Sequence, residues 1–229
     1  MTETLVETPD LVTLVGGGDV SAEDLDLALS HAPVLVAADS GADAALAQGR
    51  APVAVIGDLD SLSDRARATL GEQRLHHLPE QESTDFDKAL RSIAAPMVLA
   101  VGFLGARVDH QLAVFNVLVR RADLPCVLIG PEEVVFAAPP AIALALALEA
   151  GDVVSLFPMR QVTGRSSGLT WPIEGLDFAP DGRVGTSNRA DGAAVLEFDG
   201  PGMLVILPRN RLETVITALA SPQAPSRAR

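Results

Sequence analysis

Residues 53–60 read Val53-Ala54-Val55-Ile56-Gly57-Asp58-Leu59-Asp60, a short apolar run that ends in two carboxylates. The run has the length of a buried strand, and the glycine and acids after it are typical of the loop that follows a strand. An extended or turning backbone at this point can aim both carboxylates at one ion. The segment therefore predicts a buried strand with acidic groups at its carboxyl end.

The same pattern extends to both sides of this segment. Other short apolar runs, separated by stretches of helical spacing, are found at residues 11–15, 34–38, 97–101, 126–129 and, more weakly, 134–137. Such alternation is typical of a parallel sheet covered by helices. We therefore expect an α/β fold, with a Rossmann-like parallel-sheet domain over residues 1–138.

Two helix starts carry capping-box signatures, which are Ser21 with Asp24 and Thr84 with Asp87. After Thr84, apolar residues with a helical repeat predict one buried face, made of Phe86, Ala89, Leu90 and Ile93. Asp85 and Lys88 are expected to lie away from that face. Lys88 is the chain's only lysine, but abundant arginine makes this fact less informative.

The pattern changes after residue 138, where apolar residues alternate with small ones and turn residues become frequent. This favours antiparallel strands over residues 139–229. Turns are predicted at Gly151-Asp152, Asp181-Gly182, Asp191-Gly192 and Gly200-Pro201-Gly202. Because alanine is a good helix former, residues 141–150 could instead form a helix. We expect a final helix at 211–220 and then a disordered tail.

The composition excludes some classes of function. With a formal net charge of -13, the chain lacks the basic surface that a general nucleic-acid binder needs. An acidic surface suits a cationic or metal-bridged ligand, although simple solubility also explains such a charge. Residues 1–10 do not resemble a signal peptide, and the longest apolar run, 141–148, is too short to cross a bilayer. We expect a cytoplasmic protein without a membrane partner.

Several aspartates follow runs that are predicted to be strands. Asp39 follows residues 34–38, Asp58 and Asp60 follow 53–56, and Asp109 comes after the run at 97–101. The carboxyl ends of parallel strands share one edge of a sheet, where ligands bind, so these acids should converge. Unpaired carboxylates in one cleft repel each other unless a cation lies among them, and magnesium prefers such hard oxygen ligands. The alternative is that each aspartate is an ordinary turn residue or helix cap.

In their order along the chain, seven segments resemble the thiamine pyrophosphokinase family. The segments in the first half are Ala38-Asp39-Ser40-Gly41-Ala42, Gly57-Asp58-Leu59-Asp60-Ser61, Gln81–Leu90 and Gly105–His110. Those in the second half are Ser155–Pro158, Gly168–Pro172 and Gly185–Asn188. The segments at 57–61 and 81–90 are the specific ones.

The resemblance implies an N-terminal α/β catalytic domain, a C-terminal antiparallel β-sandwich domain that binds thiamine, and a homodimer with active sites between subunits. By position in the family's motifs, the acids that handle magnesium and diphosphate are Asp39, Asp58, Asp60 and Asp85, of which Asp58, Asp60 and Asp85 are the expected magnesium ligands. The residues expected around ATP are Gln81, Thr84, Arg107 and Asp109. The residues expected to bind the substrate are Ser167, Trp171, Ser187 and Asn188.

The implied activity is the transfer of a diphosphate from ATP to the hydroxyl of thiamine, which requires positioning and charge neutralisation more than covalent catalysis. In this scheme Asp39 accepts the hydroxyl proton, and Arg107, whose fork of donors suits phosphate, neutralises developing charge. Trp171 is the only tryptophan and can stack on the thiamine ring, or it is an ordinary core residue. Two alternatives remain, which are a diphosphokinase for another hydroxymethyl heterocycle such as a pterin and a non-catalytic nucleotide-binding module.

Overall fold

A computed structural model describes residues 3–105 and 107–221 of the chain. These residues form two compact units, one made of residues up to 117 together with 128–131, and the other made of 118–127 and the residues from 132 onward. Up to residue 129 the elements are β1 (Val6–Glu7), β2 (Val12–Val15), α1 (Ala22–His31), β3 (Val34–Ala38), α2 (Gly41–Ala47), β4 (Ala54–Gly57), α3 (Asp64–Leu70), β5 (Leu75–His77), α4 (Asp85–Arg91), β6 (Ile93–Ala94), β7 (Val98–Val101), α5 (Val108–Arg120) and β8 (Cys126–Ile129). The later elements are β9 (Glu133–Ala137), β10 (Leu144–Leu146), β11 (Val153–Pro158), β12 (Gly164–Leu169), β13 (Gly185–Phe198), β14 (Met203–Pro208) and α6 (Leu212–Ala220).

The first unit contains a parallel sheet in the strand order β7-β2-β3-β4-β5. Its central strands are apolar apart from the buried Thr13, as is typical of a sheet packed on both faces, and Leu14, Val36 and Ile56 have no solvent-exposed surface. The register pairs Ala38 with Ile56 at the carboxyl ends of β3 and β4. The loops that carry Asp39 and Asp58 therefore leave neighbouring strands at the same edge, and the predicted α/β class is confirmed.

Both predicted helix caps are present. Ser21 and Asp24 form a complete capping box at the start of α1, and the Thr84 hydroxyl accepts a hydrogen bond from the Asp87 N–H at 3.3 Å. The single buried face predicted after Thr84 is wrong in two respects. Helix α4 ends at Arg91, so Ile93 is buried from strand β6, and Lys88 is one of the most deeply buried side chains, although it was expected to lie away from the core.

The strands of the second unit pair in antiparallel fashion, as the period-two pattern predicted. Three of the four predicted turns lie between strands, but the turn at Asp191-Gly192 is wrong because β13 continues through it. Along its length β13 changes partners from β11 to β10 and β12, and a register shift lies opposite it at Gly168. The Asp191-Gly192 pair therefore marks an irregularity within a strand and not the turn of a hairpin.

The alanine-rich segment 141–150 forms strand β10 and loops, so its helical alternative is wrong. Helix α6 confirms the predicted final helix, and the Thr214 hydroxyl of this helix donates a hydrogen bond to the Ala147 carbonyl at 3.2 Å. The predicted disordered tail, residues 222–229, lies outside the described residues. Within the described parts of the chain, every helix is too short or too polar to cross a lipid bilayer.

Candidate active site

A cavity of about 460 Å³ opens at the carboxyl edge of the parallel sheet in the first unit. Its walls come from the loops after β2, β3, β4 and β7, from the start of α4 and from α5. The polar and charged residues that line it are Asp39, Ser40, Asp58, Ser61, Gln81, Ser83, Thr84, Asp85, Lys88, Arg107 and His110. This is the edge at which ligands bind in parallel α/β sheets.

Asp39 ends strand β3 and turns its carboxylate into the cavity. Its backbone has φ 44°, a left-handed conformation that non-glycine residues seldom adopt, and its N–H donates to the Ile56 carbonyl at 3.1 Å. The residue is 5% exposed, and its Oδ1 has no hydrogen-bond partner among the described residues. Burial, together with the negative charges of Asp85, Asp58 and Asp60, raises the pKa of this carboxyl above its ordinary value. An oxygen in this state is ready to accept a cation or a proton.

Asp58 follows the neighbouring strand and is held by three donors. Gln81 Nε2 lies 2.9 Å and Lys88 Nζ 3.2 Å from its Oδ2, and the Asp60 N–H lies 3.3 Å from its Oδ1. Burial alone would raise the pKa of Asp58, but these hydrogen bonds outweigh it, so the pKa lies below the ordinary value. Asp58 is therefore a fixed, ionised carboxylate.

A strained turn at Leu59 separates Asp58 from Asp60. Leu59 has φ 60°, and its carbonyl accepts a hydrogen bond from the Arg67 guanidinium. Backbone strain of this kind persists where surrounding contacts enforce it, often at functional sites. As a result, carboxylate oxygens of Asp39, Asp58 and Asp60 lie within 4.8 Å of one another.

The three aspartates fit a divalent metal such as magnesium. All three donors are hard carboxylate oxygens, and the buried Oδ1 of Asp39 lacks a partner that a bound cation would supply. Asp60 is exposed, so water can complete the coordination shell, as magnesium usually requires. The sequence interpretation expected Asp39 to converge with Asp58 and Asp60, but it named Asp85, and not Asp39, as the third magnesium ligand.

Asp85 lies in the same cavity but pairs with a cation of the protein itself. Its Oδ1 accepts a hydrogen bond from Lys88 Nζ at 3.1 Å, and the same ammonium contacts Asp58. Burial alone would lower the pKa of Lys88, but the hydrogen bonds and charges of Asp85 and Asp58 outweigh it and raise the pKa. The sequence interpretation missed Lys88, although a single lysine three residues after a predicted ligand was a usable signal.

Close packing in this region depends on a glycine at the end of β4. A Cβ at Gly57 would lie 3.1 Å from both the Asp39 Cβ and the Asp85 Oδ1. Such contacts are tighter than ordinary van der Waals distances, so a larger residue would push the two acids apart. The glycine in the Gly57-Asp58-Leu59-Asp60 segment therefore lets the acids approach one another.

Of the four residues expected around ATP, Gln81, Thr84 and Arg107 line the cavity, and Asp109 pairs with Arg107. Gln81 and Thr84 line the cavity, where Gln81 holds Asp58 and Thr84 caps α4. Arg107 also lines the cavity, but its guanidinium forms two hydrogen bonds with Asp109, at 2.6 and 3.1 Å, and both side chains are exposed. The paired carboxylate raises the pKa of Arg107, and the guanidinium lowers that of Asp109.

The residues expected to bind the substrate belong to the second unit. Asn188 is buried and holds the Trp171 backbone, because its side chain accepts from the Trp171 N–H at 3.2 Å and donates to the Trp171 carbonyl at 2.7 Å. Ser187 has φ 63° and donates its N–H to the Ser155 hydroxyl, while Ser167 is exposed on β12. Trp171 itself is 57% exposed, so it is not a core residue.

Comparison with known sequences connects this cavity with one family. The protein-family model described as thiamin pyrophosphokinase, catalytic domain, matches residues 25–128. Among curated proteins, thiamine pyrophosphokinase 1 of Arabidopsis thaliana is 28% identical over 155 residues, and thiamine pyrophosphokinase 1 of Oryza sativa subsp. japonica is 25% identical over 154 residues. Each match covers 60% of this chain and 58% of the relative.

Comparison with solved structures gives the same fold. The thiamin pyrophosphokinase from Candida albicans superposes with a TM-score of 0.73 over 86% of this chain and 90% of its own. Its sequence identity is 14%, so this likeness concerns the fold alone.

Proposed function

Because residues 25–128 match the catalytic-domain model of the thiamin pyrophosphokinase family, we propose that the chain is a member of this family and transfers a diphosphate from ATP to the hydroxyl of thiamine. The products are thiamine diphosphate and AMP. The observation that carries this proposal is the group of three close carboxylates, of which Asp39 and Asp58 line the cavity and Asp39 is buried with an oxygen that has no partner among the described residues. Such a group suits a metal-bridged polyphosphate.

The chain's own residues would position the reactants. Asp39, Asp58 and Asp60 would hold magnesium, with Asp85 as a further predicted ligand. Bound there, the ion would neutralise part of the negative charge on the phosphates. Gln81 and Lys88 keep the Asp58 carboxylate in place, and Thr84 at the start of α4 faces the cavity.

The transfer step forms a bond between the thiamine hydroxyl oxygen and the β-phosphorus of ATP. The bond between that phosphorus and the α,β-bridging oxygen breaks, so AMP leaves with the bonding electrons. The hydroxyl proton passes to a base of the cavity; Asp39, which the sequence interpretation assigned to this role, is proposed here to hold the metal, so the acceptor is water or an acid that does not bind the ion. Arg107 stabilises developing phosphate charge, with Asp109 orienting its guanidinium.

The second unit would recognise the thiamine ring. The indole of Trp171 is exposed, and Asn188 fixes the backbone of the same residue. The indole can therefore act as a platform for a flat cationic heterocycle. Ser167, Ser187 and Asn188 are the polar residues proposed around that ring.

The proposal also covers the domain organisation, the oligomeric state and the cellular location of the protein. The first compact unit is proposed as the Rossmann-like catalytic domain and the second as the thiamine-binding β-sandwich domain. The second unit includes residues 118–127 and 132–138, which the sequence interpretation had placed in the first domain. The active protein is a homodimer with active sites between subunits. It acts in the cytoplasm, with ATP and Mg²⁺ and without nucleic acid.

The test is AMP release from ATP in the presence of Mg²⁺ and thiamine. In the Asp58→Asn variant the rate should fall by about 10²-fold or more, because the central carboxylate loses its charge. Asp181→Asn, the same change at an exposed turn of the second unit, is the matched control and should leave the rate unchanged.

Two results would contradict the proposed activity. AMP release that needs a hydroxymethyl pterin and not thiamine would indicate the related diphosphokinase. Tight ATP binding without AMP release for any heterocyclic alcohol would indicate a non-catalytic nucleotide-binding module.

A further inference from the structure

Lys88 is the chain's only lysine, and it is buried in the acidic cavity. Its side chain is 1% exposed, which is rare for lysine. Its ammonium lies 3.2 Å from Asp58 Oδ2 and 3.1 Å from Asp85 Oδ1, so one cation joins acids that come from two different elements.

A cation is needed here because four acids lie close together, three that line the cavity and Asp60 beside them. Asp39, Asp58 and Asp60 bring oxygens within 4.8 Å of one another, and Asp85 shares the Lys88 ammonium with Asp58. Carboxylates this close, partly withdrawn from water, repel one another and would swing apart without a positive charge among them.

The backbone fixes Lys88 in this position. Its N–H donates to the Thr84 carbonyl at 2.9 Å, and its neighbours in α4, Phe86, Ala89 and Leu90, are buried. The lysine stem is packed along its whole length, so the ammonium cannot turn to solvent while α4 stays folded.

We propose that Lys88 is a built-in counter-ion, which holds Asp58 and Asp85 in place when no metal is bound and carries part of the neutralisation that a divalent cation provides. This inference rests on the proposed magnesium site. It makes Lys88 a positioning residue, because it acts through Asp58 and Asp85.

A counter-ion differs from a packing residue in its coupling to metal. If Lys88 only fills space, its replacement costs the same stability with and without Mg²⁺. If it neutralises the acids, added Mg²⁺ should compensate for its loss, and by linkage the variant should bind Mg²⁺ more tightly than the parent protein.

The first experiment compares thermal unfolding of the full chain and Lys88→Met in EDTA and in saturating Mg²⁺. The variant's Tm should fall by about 5–15 °C in EDTA. Mg²⁺ should restore at least about half of that loss, with Mg²⁺ binding tighter by roughly tenfold. An equal loss in both conditions, or weaker Mg²⁺ binding, would overturn the proposal.

Two further variants act as controls. Lys88→Arg keeps the positive charge and should retain more of the metal-free stability than Lys88→Met. Arg50→Met removes a cation from the exposed pair with Asp26, elsewhere in the first unit, and should show no coupling to Mg²⁺.

A second measurement uses the parent protein and remains decisive if Lys88→Met does not fold. Growth with ¹³Cε-labelled lysine gives a single side-chain signal, because the chain has one lysine. Mn²⁺, as a paramagnetic probe, should broaden this signal at substoichiometric amounts and Mg²⁺ should reverse the effect. A signal that Mn²⁺ leaves sharp would overturn the proposal.

These readouts separate the failure of this inference from the failure of the proposed function. Stability and metal binding are measured without ATP or thiamine, whereas AMP release tests the reaction. If the protein releases AMP but Lys88→Met lowers the Tm equally with and without Mg²⁺, the proposed function stands and the counter-ion role of Lys88 is overturned.

Discussion

Gly41 begins helix α2 against the end of strand β2, where no other residue fits. A Cβ at this position would lie 2.1 Å from the Val15 carbonyl oxygen, which belongs to backbone and cannot move aside alone. The absence of a side chain therefore lets α2 start immediately after Asp39 and Ser40 and keeps that loop against the sheet.

Replacing this glycine should destabilise the protein. For Gly41→Ala we expect a loss of about 1–3 kcal/mol in the free energy of unfolding, because strand and helix must separate to accept the methyl group. Urea denaturation measures the change. Gly200→Ala is the matched control, since a Cβ there meets nothing within 4 Å, and its stability should stay within about 0.5 kcal/mol of the parent. Equal effects of the two substitutions would contradict this explanation.

Trp171 should contribute to thiamine binding through stacking alone. Trp171→Ala should weaken thiamine affinity by roughly 2- to 30-fold, which corresponds to about 0.5–2 kcal/mol for a cation on an aromatic face. Calorimetric titration with a non-hydrolysable ATP analogue present measures the effect. Trp171→Phe keeps a ring and should recover most of the affinity; unchanged binding by Trp171→Ala would show that the indole does not contact thiamine.

The loop before α4 is held by one residue that the sequence interpretation did not single out. Glu80 accepts hydrogen bonds from the Glu82 and Ser83 N–H groups, at 2.8 and 3.1 Å, and from Arg91 at 2.6 Å. It also accepts one from the Ser83 hydroxyl. This network ties the two ends of the segment that carries Gln81 and α4, so it fixes the approach of Gln81 to Asp58.

The Glu80 network predicts a pH-dependent stability. Hydrogen bonds from Ser83, then from Arg91, lower the pKa of Glu80 from 4.5 to about 2, so its contribution is present above about pH 4.5 and is lost as the pH falls towards 2. The parent should therefore be more stable than Glu80→Gln at about pH 7, and the difference should shrink at about pH 3. Thermal unfolding at both values measures it. Glu82→Gln, an exposed neighbour in the same loop, should show no such pH-dependent difference.

Elements were predictable where one local rule decided them. The strands β3, β4 and β7 are continuous apolar runs, β2 is interrupted only by Thr13, and Ser21 and Thr84 marked the starts of α1 and α4 correctly. Two elements departed from the local rule because tertiary contacts decided them. Helix α4 buries more than one face, and β13 runs through Asp191-Gly192 because it exchanges sheet partners there.

Across the whole molecule, topology explains why the candidate site was partly predictable. Acids after parallel strands meet at one edge, so Asp39, Asp58 and Asp60 could be grouped without coordinates, whereas Asp109, placed in the same group, is exposed and pairs with Arg107. Which acid completes the trio depends on side-chain geometry that spacing does not encode. Lys88 contacts Asp85 and Asp58 alike, and the left-handed backbone of Asp39 places its carboxylate beside Asp58 and Asp60.

The exposed indole at residue 171 also has a practical consequence. The chain contains one tryptophan and no tyrosine, so nearly all of its near-ultraviolet fluorescence comes from this single solvent-facing ring. A heterocycle that covers the ring changes its emission wavelength and intensity directly, with no other chromophore to obscure the signal. The protein thus carries its own optical reporter at the surface proposed to recognise its substrate, and occupancy there can be followed in real time without a label.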